Sequence, residues 1–240
     1  DSLSGVILSA FLARYLKNLK NLKWSYRFVF VPETIGSICY LSQHYAEMKD
    51  IDFGFVVTTV GGPGSLSYKQ SWNSDHFINT VTEKALSRQD LNFTKYSFDI
   101  HGSDERQFSS PGFRINCASI CKDKYYEYPE YHTSADNLEF VRPENILISL
   151  KSYIDAIEEL EQIDIYIRTE ECGEVMLSKH DLYPKLGGAV LPDSSTLSNT
   201  DLLLWILFYT DGVLSVDCIA GKLHVEPSAI ASVYIQLEIK

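Results

Sequence analysis

The chain has 240 residues, 45% of them hydrophobic and 22% charged, with a net charge of −11. Such a chain is long and apolar enough to fold around a core, and its negative charge argues against a phosphate backbone as partner. Apolar runs such as "DLLLWILFY" are too short to span a bilayer, so neither nucleic acid nor membrane is expected as a partner.

Asp1 precedes "LSGVILSAFLARYLKNL", whose apolar spacing predicts a helix capped by Asp1. "WSYRFVFV" predicts a strand ended by Pro32, and "IGSICYLSQHYAEM" a helix. "FGFVVTTV" reads as a buried strand of the parallel type, closed by the loop "GGPG". "SLSYKQS" predicts a short strand and "SDHFINTVTEKALSR" a helix with Ser74 as candidate cap. "NFTKYSF" and "FRINCASIC" predict two more strands, and "RPENILISLKSYIDAIEELEQ" a long amphipathic helix. Alternating strands and helices imply an α/β fold, a three-layer α/β/α domain over residues 1–162 with a mostly parallel sheet.

Residues 163–198 are rich in turn formers and read as an arm or linker. Over residues 199–240, "NTDLLLWILFYTDG", "SVDCIAGKL" and "EPSAIASVYIQLEI" predict three helices. The "HVEP" turn gives the last two a helix-turn-helix, winged-helix-like shape. From Cys172 onward there are four lysines, no arginine and eight acidic residues, a balance of −4. A DNA reader needs a basic face, so this module is expected to meet a protein partner or a second copy. Its stripe of Ile230, Val233, Tyr234 and Leu237 suits packing on "LLLWILFY". Five scattered cysteines without a CxxC pair predict reduced thiols, each a small buried hydrophobe, in a cytoplasmic protein. The start at Asp1, without methionine or signal pattern, reads as a fragment or processed piece.

Open α/β sheets bind ligands at the carboxyl ends of their strands. Asp1, Glu33, the loop "HGSDERQFSSPGF" and His132 all fall there. Two carboxylates and an imidazole suit an oxygen-rich zinc site with an open position, and a carboxylate beside it could take a proton from water. Plainer roles stand beside these. His132 could be a turn histidine, Glu33 a solvated or capping residue, and Asp104 the cap of "ERQF". Arg106 could hold a substrate carboxylate or pair with Asp104, and Tyr128 and Tyr131 could line a pocket or simply pack.

In order along the chain, "DSLSG", "FVPETIGS", "GSDERQFSSPGF" and "YPEYHTSADNLEFV" resemble the aminopeptidase-like family of zinc-dependent exopeptidases. That family is related to di-zinc leucyl aminopeptidases, glutamate carboxypeptidases and glutaminyl cyclases. The later "GEVMLSKHDLYPKLGG" and the helical tail look like its C-terminal part. The resemblance implies zinc held by Asp1, His132 and Glu33, with Glu33 alternatively the catalytic base. It places Asp104 near the substrate pocket, in a Ser-Asp-Glu sequence where relatives carry Ser-Asp-His, and gives Asp136 a turn-stabilising hydrogen bond. The relatives have a further histidine ligand upstream of the aspartate. At the strand end that carries their second-metal aspartate, this chain has Thr58, Thr59, Gly61 and Gly62, so one zinc is expected. The implied reaction is metal-assisted hydrolysis of an amide in a small peptide or aminoacyl conjugate. The alternative is a non-catalytic or cyclase-type protein on the same scaffold.

Overall fold

The computed structural model describes residues 1–89, 92–170, 172–183 and 197–238. It comprises two compact units, Asp1–Ile163 and Asp164–Lys240. The first unit runs α1 (Ser2–Lys17), α2 (Ile35–Gln43), α3 (Tyr45–Met48), β1 (Phe53–Phe55), β2 (Ser67–Lys69) and α4 (Phe77–Arg88). It continues through β3 (Thr94–Tyr96), α5 (Glu105–Phe108), β4 (Asn116–Cys121) and α6 (Pro143–Gln162).

The sheet order is β1-β4-β2-β3. β1 pairs with β4 in parallel, as does β2 with β3, while β2 and β4 run antiparallel. The fold is thus mixed α/β with a mostly parallel sheet. β4 is buried along its whole length although Asn116 and Ser119 interrupt its apolar residues, whereas the strand read as buried, "FGFVVTTV", is a strand only over Phe53–Phe55 and is half-buried there. Helices α1 and α4 pack on α6, and α2 packs on α5. Leu8, Leu12 and Leu16 of α1 recur every four residues on one face and are all buried. A β-carbon on Gly5 would lie 2.0 Å from the Val57 carbonyl oxygen, so the close approach of α1 to the chain after β1 requires glycine. The hydroxyl of Tyr153 on α6 accepts the Ile120 N–H and donates to the Ile120 carbonyl, fixing that helix on the central strand.

Several expected details differ. Residues 24–31 join neither sheet. Side chains anchor this segment in place of a ladder: the Trp24 indole donates to the Leu160 carbonyl at 2.8 Å, and its ring meets Phe53 and Phe77. The Tyr26 hydroxyl bonds Glu161. Helix α4 is capped by His76, whose Nδ1 accepts the Ile78 N–H at 3.1 Å, rather than by Ser74. Asp1 occupies the cap position of α1 but makes no side-chain cap bond. Cys117 and Cys121 are buried as expected, Cys218 is half-buried, and Cys39 and Cys172 are exposed; none of the five forms a disulfide among the described residues.

In the second unit, Ile165–Ile167 of the supposed arm forms β5 and pairs antiparallel with β6 (Asp211–Ser215). α7 (Asn199–Tyr209) opens with a reciprocal Ser198–Asp201 capping box. α8 (Val216–Leu223) and α9 (Pro227–Glu238) follow, joined by the short His224–Glu226 turn. Ile206, Leu214, Ile219, Ala220, Ile230 and Tyr234 form their core, with Val233 and Leu237 packed against it. The stripe read on the last helix is therefore spent internally. Residues 184–196, which include much of the "YPKLGG" resemblance, lie outside the described residues. Among the described residues no helix is long and apolar enough to cross a membrane.

Candidate active site

The loop that follows β1 contains Gly61 and Gly62, and their N–H groups both donate to Asp1 Oδ2 at 3.1 Å. The Asp1 backbone nitrogen donates to Asp136 Oδ2, and Ser4 ties the turn by donating to the Asp1 carbonyl and accepting the Val60 N–H. This explains the missing helix cap: the carboxylate is turned toward a loop some sixty residues away in sequence. A β-carbon on Gly61 would stand 3.0 Å from Asp1 Oδ1. That oxygen and Asp136 Oδ1 are buried and have no hydrogen-bond partner among the described residues. Two unpartnered carboxylate oxygens in a buried corner are costly unless something positive or a donor meets them.

Beside this corner runs a band of rings from the loop after β4. Tyr128 stacks on Phe140 at 5.3 Å and meets Tyr131 edge-on at 5.4 Å; Tyr126 meets Tyr131 at 4.8 Å. His132 lies flat on Tyr131, centroids 3.9 Å apart, at a positive φ of 57°. Its ring is exposed. Burial raises the Tyr128 hydroxyl, and the charges of Asp136 and Asp123 raise it further. Burial likewise raises Tyr131, aided by Tyr126 and then by Glu33. The ring band therefore lies within electrostatic reach of Asp136 and of Glu33.

Glu33 is exposed at the head of α2. The residue after it, Thr34, donates its N–H to Asp104 Oδ1 at 2.7 Å. Asp104 makes no cap bond to α5, so the capping role considered for it is replaced by this long-range bond. Burial raises its carboxyl above the usual range, opposed by the Thr34 N–H and reinforced by the charge of Glu33. Arg106 is exposed and donates to the Ile100 carbonyl at 3.3 Å.

The corner brings together Asp1 and Asp136. It does not gather the expected ligand set: among the described residues no group of three His, Cys, Asp or Glu side chains could hold a metal ion. A catalytic zinc takes three protein ligands. Asp1 suits one of them, since its Oδ1 is buried and unpartnered. The donors among the described residues are nevertheless too few to fit a complete zinc site.

Asp123, Lys69 and the pairing of Glu105 escaped the sequence reading. Asp123 presses its carboxylate on the loop, 2.0 Å from where a Gly62 β-carbon would stand, and accepts the Gly64 N–H at 3.4 Å. The signal for it was the glycine-rich "GGPG", which permits such an approach. Lys69 and Glu105 form a buried ion pair at 2.8 Å under the Asp104 loop. A lysine within a short strand gave no hint of burial.

Residues 1–163 match a family described as a domain of unknown function, DUF4910. The chain belongs to the DUF4910 family. A Clostridium acetobutylicum protein named for polysaccharide biosynthesis and an aminopeptidase-like domain is 38% identical over 226 residues, covering 94% of this DUF4910 chain and 51% of that protein. A crystal structure from Clostridium acetobutylicum, named as a peptidase, is 34% identical with a TM-score of 0.67, over 99% of this chain and 52% of that one. The zinc aminopeptidase BSAP of Bacillus subtilis is 20% identical with a TM-score of 0.55, covering 65% of this chain and 40% of its own, and so shares the fold. The DUF4910 chain spans about half the length of the Clostridium proteins it matches.

Proposed function

We propose that this DUF4910 chain is an aminopeptidase-like hydrolase acting on the amide bond of a small peptide or an aminoacyl conjugate, with zinc as cofactor. The observation that carries the reading is the buried corner of Asp1 and Asp136, with its two unpartnered carboxylate oxygens, on a fold shared with a zinc aminopeptidase. Aminopeptidase-like naming of a 38% identical relative supports the reaction class. Asp1 is the ligand the corner supports; Glu33 and His132 are not drawn to it.

The roles of the chain's own groups follow from their positions. Gly61 and Gly62 hold Asp1 Oδ2, which leaves Oδ1 as the oxygen directed to a ligand. Asp136 fixes the Asp1 backbone. Glu33, an exposed carboxylate within reach of Tyr131, accepts the proton of attacking water and returns it to the leaving amine. Tyr131 and its neighbouring rings form a wall for the substrate, and Arg106, exposed nearby in sequence to Asp104, contacts a substrate carboxylate. Five cysteines without a disulfide among the described residues support a cytoplasmic location.

The test is zinc analysis of the purified chain together with hydrolysis of L-leucine 4-nitroanilide. Glu33→Gln is expected to lower kcat by about 100-fold or more, the usual weight of a general base. Turnover unaffected by Glu33→Gln would remove it from the mechanism.

A second reading, in which the scaffold binds a partner through the C-terminal module, is supported by the outer face of α7. Leu204, Trp205 and Phe208 are exposed there, Phe208 by 71%, beside a cavity of about 620 Å³ that also includes Arg168, Glu174 and Asp201. Sedimentation of the wild-type chain against Trp205→Ala/Phe208→Ala tests whether that face pairs copies.

A further inference from the structure

Glu33 is followed by an unusual turn. Thr34 sits at φ 61° and ψ −69°, and the Ile35 N–H donates to the Glu33 carbonyl at 2.7 Å. This is a γ-turn of the strained hand, rarely adopted, and here it falls on a β-branched residue, for which a positive φ is an outlier. Strain of this kind persists only where surrounding groups impose it. The imposing group is Asp104, whose Oδ1 takes the Thr34 N–H at 2.7 Å across seventy residues of sequence.

Asp104 is itself held by a buried support. Lys69 on β2 is 1% exposed, and its Nζ donates to Asp99 Oδ1 at 3.2 Å, to the carbonyls of Asp99 and His101, and to Glu105 Oε1 at 2.8 Å. Glu105, 2% exposed, accepts the Ser103 N–H through its other oxygen at 3.1 Å. Between them Gly102 runs at φ 151°, where a β-carbon would meet Glu105 Oε1 at 2.1 Å. The cation thus grips the chain on both sides of Asp104.

We propose that Asp104 is the positioning residue of Glu33: it holds the Thr34 amide, and with it the strained turn that aims the Glu33 carboxylate, from a loop fixed by the Lys69–Glu105 pair. The inference rests on the reading of Glu33 as base, and it replaces direct chemistry by Asp104 with control of a neighbour.

Substitutions separate the two roles because asparagine keeps an acceptor oxygen but no charge. Thr34 amide hydrogen exchange is followed by NMR in the full chain, with β4 amides as the folding control. Hydrolysis of L-leucine 4-nitroanilide, with zinc supplied, is measured in parallel. Asp104→Ala is expected to expose the Thr34 amide and to lower kcat roughly 100-fold with KM little changed, a loss of general-base size. Asp104→Asn is expected to restore protection and at least about tenfold of that rate. Thr34→Gly added to Asp104→Ala should also recover rate, since glycine adopts positive φ without strain. Persistent protection of Thr34 in Asp104→Ala overturns the proposal, as does an asparagine variant as slow as the alanine one. If the wild-type chain hydrolyses nothing, the hydrolase reading fails, while the exchange measurement still decides whether Asp104 holds the turn.

Discussion

Lys69 Nζ and Glu105 Oε1 lie 2.8 Å apart, and both side chains are almost wholly buried. Further acceptors surround the ammonium, and the rings of Phe98 and Tyr125 stand 5.5 and 5.8 Å from it. Burying two charges costs desolvation that their attraction only partly offsets. The pair is therefore best understood as a fixed joint for the Asp104 loop. Breaking it from one side is a different matter, because the survivor stays buried without its counter-ion.

Lys69→Met is accordingly expected to destabilise the first unit by about 3–5 kcal/mol, the cost of an uncompensated buried charge. Lys69→Met combined with Glu105→Gln should recover part of that loss. Urea unfolding of the variants measures both. A double variant no more stable than Lys69→Met would show that the contacts to Asp99 and His101, rather than the ion pair, carry the joint.

The Asp104 carboxyl predicts a pH dependence. Burial raises it above the ordinary value of 3.8, so the folded chain binds this proton more tightly than the unfolded one does. Its favourable contribution is complete below about pH 3.8 and is lost as pH rises through the folded value. At about pH 7 the ionised group thus costs stability, and Asp104→Asn should raise Tm there. The advantage should shrink as pH falls toward about 3.8. Thermal melts of the two chains across that range test the sign, and an advantage that grows toward acid would contradict it.

The parts legible in the sequence were those set by local periodicity. The four-residue recurrence of Leu8, Leu12 and Leu16 and the Ile230–Tyr234 stripe each state their own burial. What stayed hidden depended on partners distant along the chain. "WSYRFVFV" has strand composition whether a ladder or side chains such as Trp24 secure it. Asp1 before a helix looks like a cap, and only the fold shows that Gly61 and Gly62 claim its carboxylate. Lys69 looks like a strand-edge lysine because Asp99, His101 and Glu105 reach it from a later loop. The candidate site was legible as a set of motifs but not as a ligand set: His132 lies on Tyr131, and Glu33 is tied by its turn to Asp104.

Gly62 lies between two carboxylates, donating its N–H to Asp1 while Asp123 occupies the space over its α-carbon. In Gly62→Ala the new methyl would meet Asp123 Oδ2 at 2.0 Å and the Phe140 ring at 2.8 Å. The carboxylate can swing away, but Phe140 is stacked on Tyr128, so the ring band must shift with it. The expected cost is about 1–3 kcal/mol of stability, typical of overpacking, accompanied by loss of hydrolysis as Asp1 loses its clamp. Gly112, with open space around it, provides the control: Gly112→Ala should change neither property. Equal effects from both substitutions would mean that crowding at Gly62 is not the cause.

The C-terminal unit joins α8 and α9 by a short turn, the arrangement the sequence suggested for a nucleic-acid reader, but it lacks the charge of one. Ile230 and Tyr234 of α9 are buried in the core shared with Ile206, and the Tyr234 hydroxyl bonds Thr210 at 2.6 Å, so this face of the helix is occupied. Among the described residues of α9, Ser228, Ser232, Ile235 and Gln236 are exposed, and the helix has no lysine or arginine. Phosphate contacts supply most of the affinity for duplexes and need cations. Fluorescence anisotropy with a labelled duplex of about 20 base pairs, near 0.15 M salt, should therefore show no binding at micromolar protein, because the salt-sensitive term has no source. Submicromolar, sequence-selective binding would require a basic surface elsewhere in the chain and would remove the charge argument for a protein partner.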